Sequence, residues 1–465
     1  MSKEKISFIQ PRHTYAPKEG LGHVYKPDSV LIPAARIMEA GGEVSAIQDL
    51  NLHPLEPARH ANVIGVNLLG APYIPEVEKQ IGKMVAPDAR LVLGGQVVSG
   101  LTESQRKKLF GPRFINGNDD TTLAATLGIK TKDLPSIYAT SVVPAYEMIP
   151  DAEMKQYLSH EFSFFLSQGC RYNCSFCAVT QRTKEDPATE KITAAKEIYR
   201  RPDILEKDLG YLIEKAKKLD VAKLDIYLSN LDVFQTPQKL AEFAEIVNRL
   251  KNLHPGFALN MRGLSTVTSF LDAHRNKKYP DAIRKMKEAG LHTIGFGIDG
   301  GTPEIWKSIQ KGHNTGDKCL RAIQVMRQEY GLTPEILMVF GHPQETEESL
   351  KAAVTFTEAM IEQYGVTPRP YVAKDVVPGN DYWMAPVNQK RIEFLLQHPQ
   401  YFQALDYAAL PSSISHPDQH MRILVEKYYR QIIEIPGTTT KLIYPISPES
   451  NGEEILHLNE GGYDN

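Results

Sequence analysis

Cysteine is scarce in this 465-residue sequence: four occur, and three of them fall within positions 170–177. So few thiols, so clustered, exclude a distributed disulfide framework and point to metal or cluster chemistry in a reducing compartment. An excess of one charge is also lacking. The formal net charge is −3 and there is no dense Lys/Arg run, so a nucleic-acid partner is not expected. No apolar run approaches the roughly 18 to 20 residues that cross a bilayer. The N-terminal Met1-Ser2-Lys3-Glu4-Lys5 passes straight into a strand-like segment without the apolar core of a signal peptide. No membrane partner and a cytoplasmic location are therefore expected. Low-complexity tracts and solenoid-length repeats are missing as well, which leaves a packed globular enzyme as the natural expectation.

What is present is an alternation of strands and helices. Short β-branched runs at Lys5 to Ile9, Glu43 to Gln48, Asn62 to Val66 and Arg90 to Leu93 are separated by helical patterns, which predicts a parallel sheet covered on both faces. Two runs enter loops of small or polar residues, Gly65-Val66-Asn67-Leu68-Leu69-Gly70 and Leu93-Gly94-Gly95-Gln96, where an open α/β sheet holds its ligands. Residues 1–120 are thus read as a doubly wound, Rossmann-like domain, and 121–160, with Pro135, Pro144 and Pro150, as a connector. Across 161–375, strand-like runs end at Leu166, Leu228, Met261, Ile298, Phe340 and Ala373. Between them lie amphipathic helices: Leu240, Phe243, Val247 and Leu250 follow a Thr236-Pro237 start, and Ile283, Met286 and Ala289 precede a Gly290 stop. This predicts a partial (β/α)6 barrel with its active site at the carboxyl ends of the strands. Residues 376–465 are Tyr-rich and predicted to form a helical C-terminal domain. Tyr371, Lys374, Asp375, Tyr382, Trp383, Tyr401, Tyr407, Tyr428 and Tyr429 either face the cavity or serve as packing.

The chemistry concentrates in Gln168-Gly169-Cys170-Arg171-Tyr172-Asn173-Cys174-Ser175-Phe176-Cys177, directly after the apolar run Phe162 to Leu166. Three thiolates can close around three irons of a [4Fe-4S] cubane, and the fourth iron then takes a ligand from elsewhere. The competing reading is zinc, which normally takes four N/S ligands and favours CxxC pairs; no second pair exists here. Cys319 has the apolar Ile323 and Met326 at helical spacing and reads as a buried core thiol.

With these motifs, residues of about 160 to 375 resemble the radical S-adenosylmethionine (SAM) superfamily. Phe176 matches the aromatic position before the third cysteine. The resemblance implies that Cys170, Cys174 and Cys177 hold the cluster and that SAM is its open-site ligand. The later strand ends then supply SAM contacts. Leu228-Ser229-Asn230-Leu231-Asp232 offers Asn230 and Asp232, although the family's frequent Gly-Gly-Glu is absent. Ala258-Leu259-Asn260-Met261-Arg262 offers Asn260 and Arg262. Gly295-Phe296-Gly297-Ile298-Asp299-Gly300-Gly301 resembles the Gly-Val-Glu-Ser stretch and offers Asp299 for ribose hydroxyls. Met338-Val339-Phe340-Gly341-His342-Pro343-Gln344-Glu345-Thr346 resembles Gly-x-Pro-Gly-Glu-Thr and offers Gly341, and the final strand offers Val372. Asp299 and Glu345-Thr346 have an alternative use as caps of the helices that follow.

Residues of about 1 to 120 resemble the cobalamin-binding domain of one large radical SAM class, through Gly65-Val66-Asn67-Leu68 and Leu91-Val92-Leu93-Gly94-Gly95. The resemblance implies Asn67, Leu68, Gly94, Gly95 and Gln96 as cobalamin contacts; the alternative is a Rossmann-like domain with another ligand or none. The DxHxxG motif that supplies a lower-axial histidine is missing. Asn51-Leu52-His53 lacks the Asp and follows the second strand, so base-off cobalamin without a histidine ligand is expected, while Arg12, His13 or His23 are left as lower-face candidates. Together the cofactors imply methylation of an unactivated carbon, or of phosphorus, in a small-molecule or peptide substrate, with flavodoxin or ferredoxin as electron donor. A rearrangement or ring-forming enzyme with the same cofactors and a non-catalytic cobalamin or iron-sulfur carrier stay open. Methylthiolation of tRNA ranks below these, since its enzymes carry three further N-terminal cysteines and a basic tail.

Overall fold

The computed structural model describes residues 4–11, 27–53, 62–77, 81, 89–178, 197–407, 409–435 and 438. Arg12, His13 and His23 lie outside them. The first sheet contains β1 (Lys5–Gln10), β2 (Glu43–Asp49), β3 (Val63–Asn67), β4 (Arg90–Gly94) and β5 (Phe114–Asn116), all parallel, in the order β2-β1-β3-β4-β5. The strand order reverses between β1 and β3, and in a doubly wound sheet the ligand crevice lies at that reversal. After β6 (Phe162–Phe165), β7 (Ser167–Gln168) and β8 (Ile198–Tyr199) form a short antiparallel pair. The second sheet continues with β9 (Lys223–Ser229), β10 (Ala258–Ser265), β11 (Leu291–Gly297), β12 (Thr333–Phe340) and β13 (Thr367–Val372). Its order is β13-β12-β11-β10-β9-β6, parallel throughout, and β6 and β13 form its two edges.

The expected α/β architecture of two parallel sheets is therefore present, with two differences in the strands. β5 follows the expected four; its Phe114-Ile115-Asn116 is too short to carry an alternation. The third barrel strand extends to Ser265 rather than stopping at Met261. Leu259 and Met261 turn into the main core, while by the two-residue period Asn260, Arg262 and Leu264 face the opposite way, into the concave face. Polar residues on that inner face read, in sequence, like the end of a strand.

One apolar core runs through much of the chain. Ile6, Phe8, Val63 and Val92 on one face of the first sheet join Tyr146, Met154 and Tyr157 of the 121–160 segment and the outer faces of the barrel strands. Buried ions fix that connection. Arg200 and Asp208 pair at 2.6 Å with side chains 1% and 0% exposed, and Asp208 also accepts from Ser141 Oγ and the Val142 N–H. The other face of the first sheet, through Ile9, Ile64, Val66, Leu91 and Leu93, packs on Val376, Trp383, Ile392, Leu395 and Phe402. The tail after β13 thus divides. Its first part covers the N-terminal sheet, whereas the helix Gln419–Ile433 packs on β13 and on the helix Glu347–Tyr364.

The two sheets meet at a glycine seam. A Cβ on Gly100, which ends the short helix after β4, would lie 2.4 Å from the Pro378 carbonyl carbon. One on Gly379 would lie 3.3 Å from the Gly100 Cα and 3.4 Å from the Ala178 oxygen. Ala178 is the residue after Cys177, so the carboxyl end of the first sheet abuts the cysteine loop. Gly100→Ala is expected to push this seam apart and cost about 1–3 kcal/mol. A lower urea midpoint with unchanged slope checks it.

Candidate active site

The cysteine loop leaves β6 and β7 through Gly169, which sits at φ 108, a conformation that disfavours any side chain. The loop has few ladder partners of its own, and its backbone is held from outside. Arg171 N–H donates to Gln235 Oε1 at 2.6 Å, and Ser175 N–H to the Ile309 carbonyl at 3.1 Å. Asp381 N–H donates to the Ser175 carbonyl at 3.1 Å and Tyr407 OH to the Phe176 carbonyl at 3.2 Å; Ser175 Oγ lies 3.0 Å from Tyr382 OH. Tyr382 and Tyr407, which the sequence left between cavity and packing, are clamps on the loop. Trp383, Tyr401, Tyr428 and Tyr429 are buried as packing.

All four cysteines are free thiols, with Cys170 and Cys319 buried and Cys174 and Cys177 partly so. Burial pushes the Cys170 thiol up to about 12, with Asp232, Cys174 and Cys177 adding to the rise. Burial likewise pushes Cys174 up to about 11, against the opposing pull of Lys311. The three loop thiols feel one another's charge. Cys319 is fully buried in the helix Gly316–Gln328 and packs in the main core. Among the described residues, no three His, Cys, Asp or Glu side chains converge as a single-ion site. Three thiols and no fourth donor fit a cubane, whose ligands bind separate irons, better than a closed zinc site.

The strand ends sort the expected SAM contacts. Asn230 follows β9, is 6% exposed, and neither its amide nitrogen nor its oxygen has a partner. Unmet buried amide atoms are costly unless an ordered water or a bound ligand meets them. Asp232 is fully buried and already accepts from Ser265 Oγ at 2.6 Å and Thr266 Oγ1 at 2.9 Å. Asn260 and Arg262 sit low on β10. Asn260 Nδ2 donates to Asp225 at 2.8 Å; Arg262 pairs with Glu161, which precedes β6, and stacks over Tyr227 at 4.9 Å. Both are therefore placed toward the floor of the barrel, away from the cysteine loop, a consequence of β10 being longer than expected.

Asp299 follows β11 at φ 51, in the left-handed region, and is paired with the buried Lys311. It caps no helix, because Thr302 accepts from Ile305 N–H in that role. Burial alone would lower the Lys311 pKa, but Asp299 and Cys174 outweigh it and the net shift is upward. Gly341 follows β12 at φ 90, and its carbonyl lies 2.9 Å from His416 Nε2. Thr346, not Glu345, caps the next helix; Glu345 turns back onto the Gly341 and His342 N–H groups. Val372 is buried and its N–H donates to the Tyr407 carbonyl at 2.9 Å.

In the N-terminal sheet, Asn67 ends β3 beside the β1/β3 reversal. Its Nδ2 donates to the Ser29 carbonyl at 2.8 Å, while its buried Oδ1 has no partner. Leu68 is buried and its N–H donates to the Gly94 carbonyl at 2.9 Å. Gly94 is less confined, although an added Cβ would still press on Asn118 Oδ1 at 3.3 Å. Gly95, at φ 95, has no such room: a Cβ would meet Asn67 Oδ1 at 2.1 Å. Gln96 begins the helix after it. Gly65 is small for the core, since a Cβ there would strike the Phe8 ring at 2.5 Å. Asn118, which clamps Gly95 at 2.9 Å through both its N–H and its carbonyl, gave no signal because β5 before it was unrecognised. His53 turns to Glu153 at 3.2 Å.

Residues 164–357 match the family model of the radical SAM superfamily. An uncharacterized methyltransferase of Pyrococcus horikoshii is 26% identical over 235 residues, 49% of this chain and 44% of that protein. The ribosomal protein uS12 methylthiotransferase RimO of Beijerinckia indica is 22% identical over 275 residues, 56% of each. The chain thus spans about half the length of these curated relatives. Among solved structures, the radical SAM methyltransferase TsrM of Kitasatospora setae, with cobalamin and a [4Fe-4S] cluster bound, superposes with a TM-score of 0.58 at 14% identity, over 83% of this chain and 75% of that one. The cobalamin-dependent SAM radical enzyme OxsB, with aqua-cobalamin and SAM bound, superposes with a TM-score of 0.55 at 12% identity, over 86% of this chain and 56% of that one. A further TsrM structure holds tryptophan substrate and a SAM analogue. The fold is shared with these enzymes.

Glu345 gives the site a measurable pH signature. Burial raises its carboxyl from 4.5 to about 7, opposed by the Gly341 and His342 N–H groups. The folded state therefore holds the proton more tightly than the unfolded chain. The stability this gives is full below about pH 4.5 and is lost as pH rises through about 7, on the order of 3 kcal/mol. Glu345→Gln is expected to remove that slope, and urea midpoints for both proteins from pH 4.5 to 7.5 check it. A pH-independent gap between them would show the carboxyl ionised throughout.

Proposed function

We propose that this chain, whose residues 164–357 form a radical SAM domain, is a cobalamin-dependent methyltransferase acting on an unactivated carbon or phosphorus centre of a small-molecule or peptide substrate. The observation that carries this is the glycine seam: Gly100 after β4, Pro378-Gly379 after β13 and Ala178 after Cys177 touch one another. The carboxyl end of the first sheet and the cysteine loop of the barrel are therefore neighbours. The residues on each side suit the groups assigned to them. Three loop thiols suit a cluster with one iron open, the unpartnered Asn230 amide suits the SAM bound there, and the unpartnered Asn67 Oδ1 at the end of β3 suits cobalamin.

When bound, the cluster supplies the electron that cleaves SAM homolytically and cobalamin supplies the methyl group. The chain's own part is placement and exclusion. Lys311 brings a buried cation beside Cys174, countering the charge the thiolates carry once deprotonated. Asp299, held by Lys311, keeps acceptor capacity for ribose hydroxyls. Tyr407, Tyr382 and Asp381 hold the loop in place. His53 is turned away to Glu153, which supports cobalamin bound base-off with no histidine on cobalt. A flavodoxin or ferredoxin of the cytoplasm is the electron donor in this scheme.

Methylthiolation, the activity in the name of the RimO relatives, is disfavoured because the only other cysteine is the core residue Cys319. Anaerobically purified protein is expected to hold about four irons and one cobalt per chain. Cys170→Ala, Cys174→Ala and Cys177→Ala are each expected to lose iron and abolish SAM turnover, whereas Cys319→Ala keeps both. A product heavier by one methylene unit supports methylation. Turnover without that gain leaves rearrangement, and no SAM turnover by either route leaves a carrier.

A further inference from the structure

Glu197 lies behind the cysteine loop and has no part in the scheme above. It precedes β8, the strand that pairs with β7 where the loop begins. Its carboxylate joins three segments. One oxygen accepts from Ser167 Oγ of β7 at 2.7 Å, the other from Thr236 Oγ1 at 2.7 Å, and the Gln235 side chain donates to it as well. Burial raises this carboxyl, and the bonds from Gln235, Ser167 and Thr236 oppose the rise. An ionised carboxylate only accepts, whereas a primary amide has one accepting and one donating end. Gln235 therefore turns its NH2 to Glu197 and its oxygen the other way, and that oxygen accepts from the Arg171 N–H at 2.6 Å. The orientation of one amide is set from behind by one carboxylate.

That orientation separates two consecutive backbone amides of the loop. Burial raises the Cys170 thiol, and a bond from the Tyr172 N–H to its sulfur opposes the rise. The Arg171 N–H, the amide next to Cys170, is taken by Gln235 instead. With the Gln235 amide turned over, its NH2 would meet the Arg171 N–H donor against donor and release it into a loop whose sulfurs are the neighbouring acceptors. Hydrogen bonds to the sulfurs are among the features that set the potential of an iron-sulfur cluster, because each favours the more negative, reduced form. Resting on the cluster-binding role given above, we propose that Glu197 is a positioning residue: acting through Gln235, it reserves the Arg171 N–H and so keeps the cluster's reduction potential low. A lower potential gives the reduced cluster more driving force to pass its electron on.

A redox titration of anaerobically reconstituted protein, followed by electron paramagnetic resonance of the reduced cluster, tests this. Gln235→Met removes the acceptor and leaves the carboxylate in place, while Glu197→Leu removes the carboxylate. Each is expected to raise the potential by about 59 mV, the one-electron equivalent of a tenfold change. Glu197→Leu added to Gln235→Met is expected to raise it little further. The exchange of Glu197→Gln with Gln235→Glu returns an acceptor-only group to the Arg171 N–H. It is expected to restore the wild-type potential, and the iron content where a single variant loads poorly. A potential unmoved by Gln235→Met overturns the assignment, as does an exchange that restores neither quantity. So does a Glu197→Leu shift of equal size with and without Gln235→Met, since Glu197 then acts by its charge alone. Wild-type protein that takes up no iron overturns the cluster function itself, and this is seen before any variant is made.

Discussion

Three thiols, one buried and two partly buried, in a loop with few ladder partners impose the constraint on which the rest of this structure depends. A backbone that cannot satisfy itself must borrow partners, and the borrowed ones come from far along the chain: Gln235 after β9, Ile309 after β11, Asp381 and Tyr407 after β13. They belong to segments that follow three different strands. The loop geometry is consequently a property of the whole barrel mouth, and the segment after β13 is part of the frame rather than a lid laid over a finished site.

The same segment explains how the two sheets come into contact. Its first part covers one face of the N-terminal sheet through Trp383 and Phe402, while the helix Gln419–Ile433 returns to the barrel. That first part passes the seam at Pro378-Gly379 before it reaches Trp383. Two glycines meet there because backbone must approach backbone, and the cost of any side chain falls on the contact between the crevice and the cysteine loop. Glycines elsewhere serve different ends. Gly65 makes room for Phe8 within the core, and Gly95 lets β4 turn under Asn67. Small residues at strand ends look alike in sequence, yet of these and Gly94 the last is the least confined, its added Cβ reaching Asn118 Oδ1 only at 3.3 Å.

The architecture was legible because period and punctuation were strong. The helix ending at Gly290 is capped there at φ 126, and five of the six barrel strands end within a residue of their expected positions. The exceptions have physical causes. β10 was cut short because its inward-facing Asn260 and Arg262 are polar, so two ligand candidates came to rest beside Asp225 and Glu161. β5 was too short to register, and Asn118 went unnoticed with it. Partner choice was the least legible property. Nothing in the spacing of Tyr382, Tyr407, Tyr428 and Tyr429 distinguishes the two that hold the loop from the two that fill the core, because the distinction depends on contacts between residues more than two hundred positions apart.

Asp299 shows why burial alone does not assign a role. Its sequence position is compatible with a helix cap, but Thr302 takes that function and leaves the carboxylate at φ 51, a conformation few residues other than Gly adopt. Strain of this kind persists only where the surroundings hold it, and here Lys311 does so. One ion pair uses part of a carboxylate's acceptor capacity. Lys311 in turn faces Cys174, whose thiol burial holds high despite the lysine's opposing pull. In the function proposed above, cluster assembly must remove that proton, and the buried ammonium lowers the cost of doing so. The strained backbone at Asp299, the buried cation and the second cysteine therefore form one electrostatic unit, in which the carboxylate keeps the lysine charged and the lysine offsets part of the rise that burial imposes on the thiol.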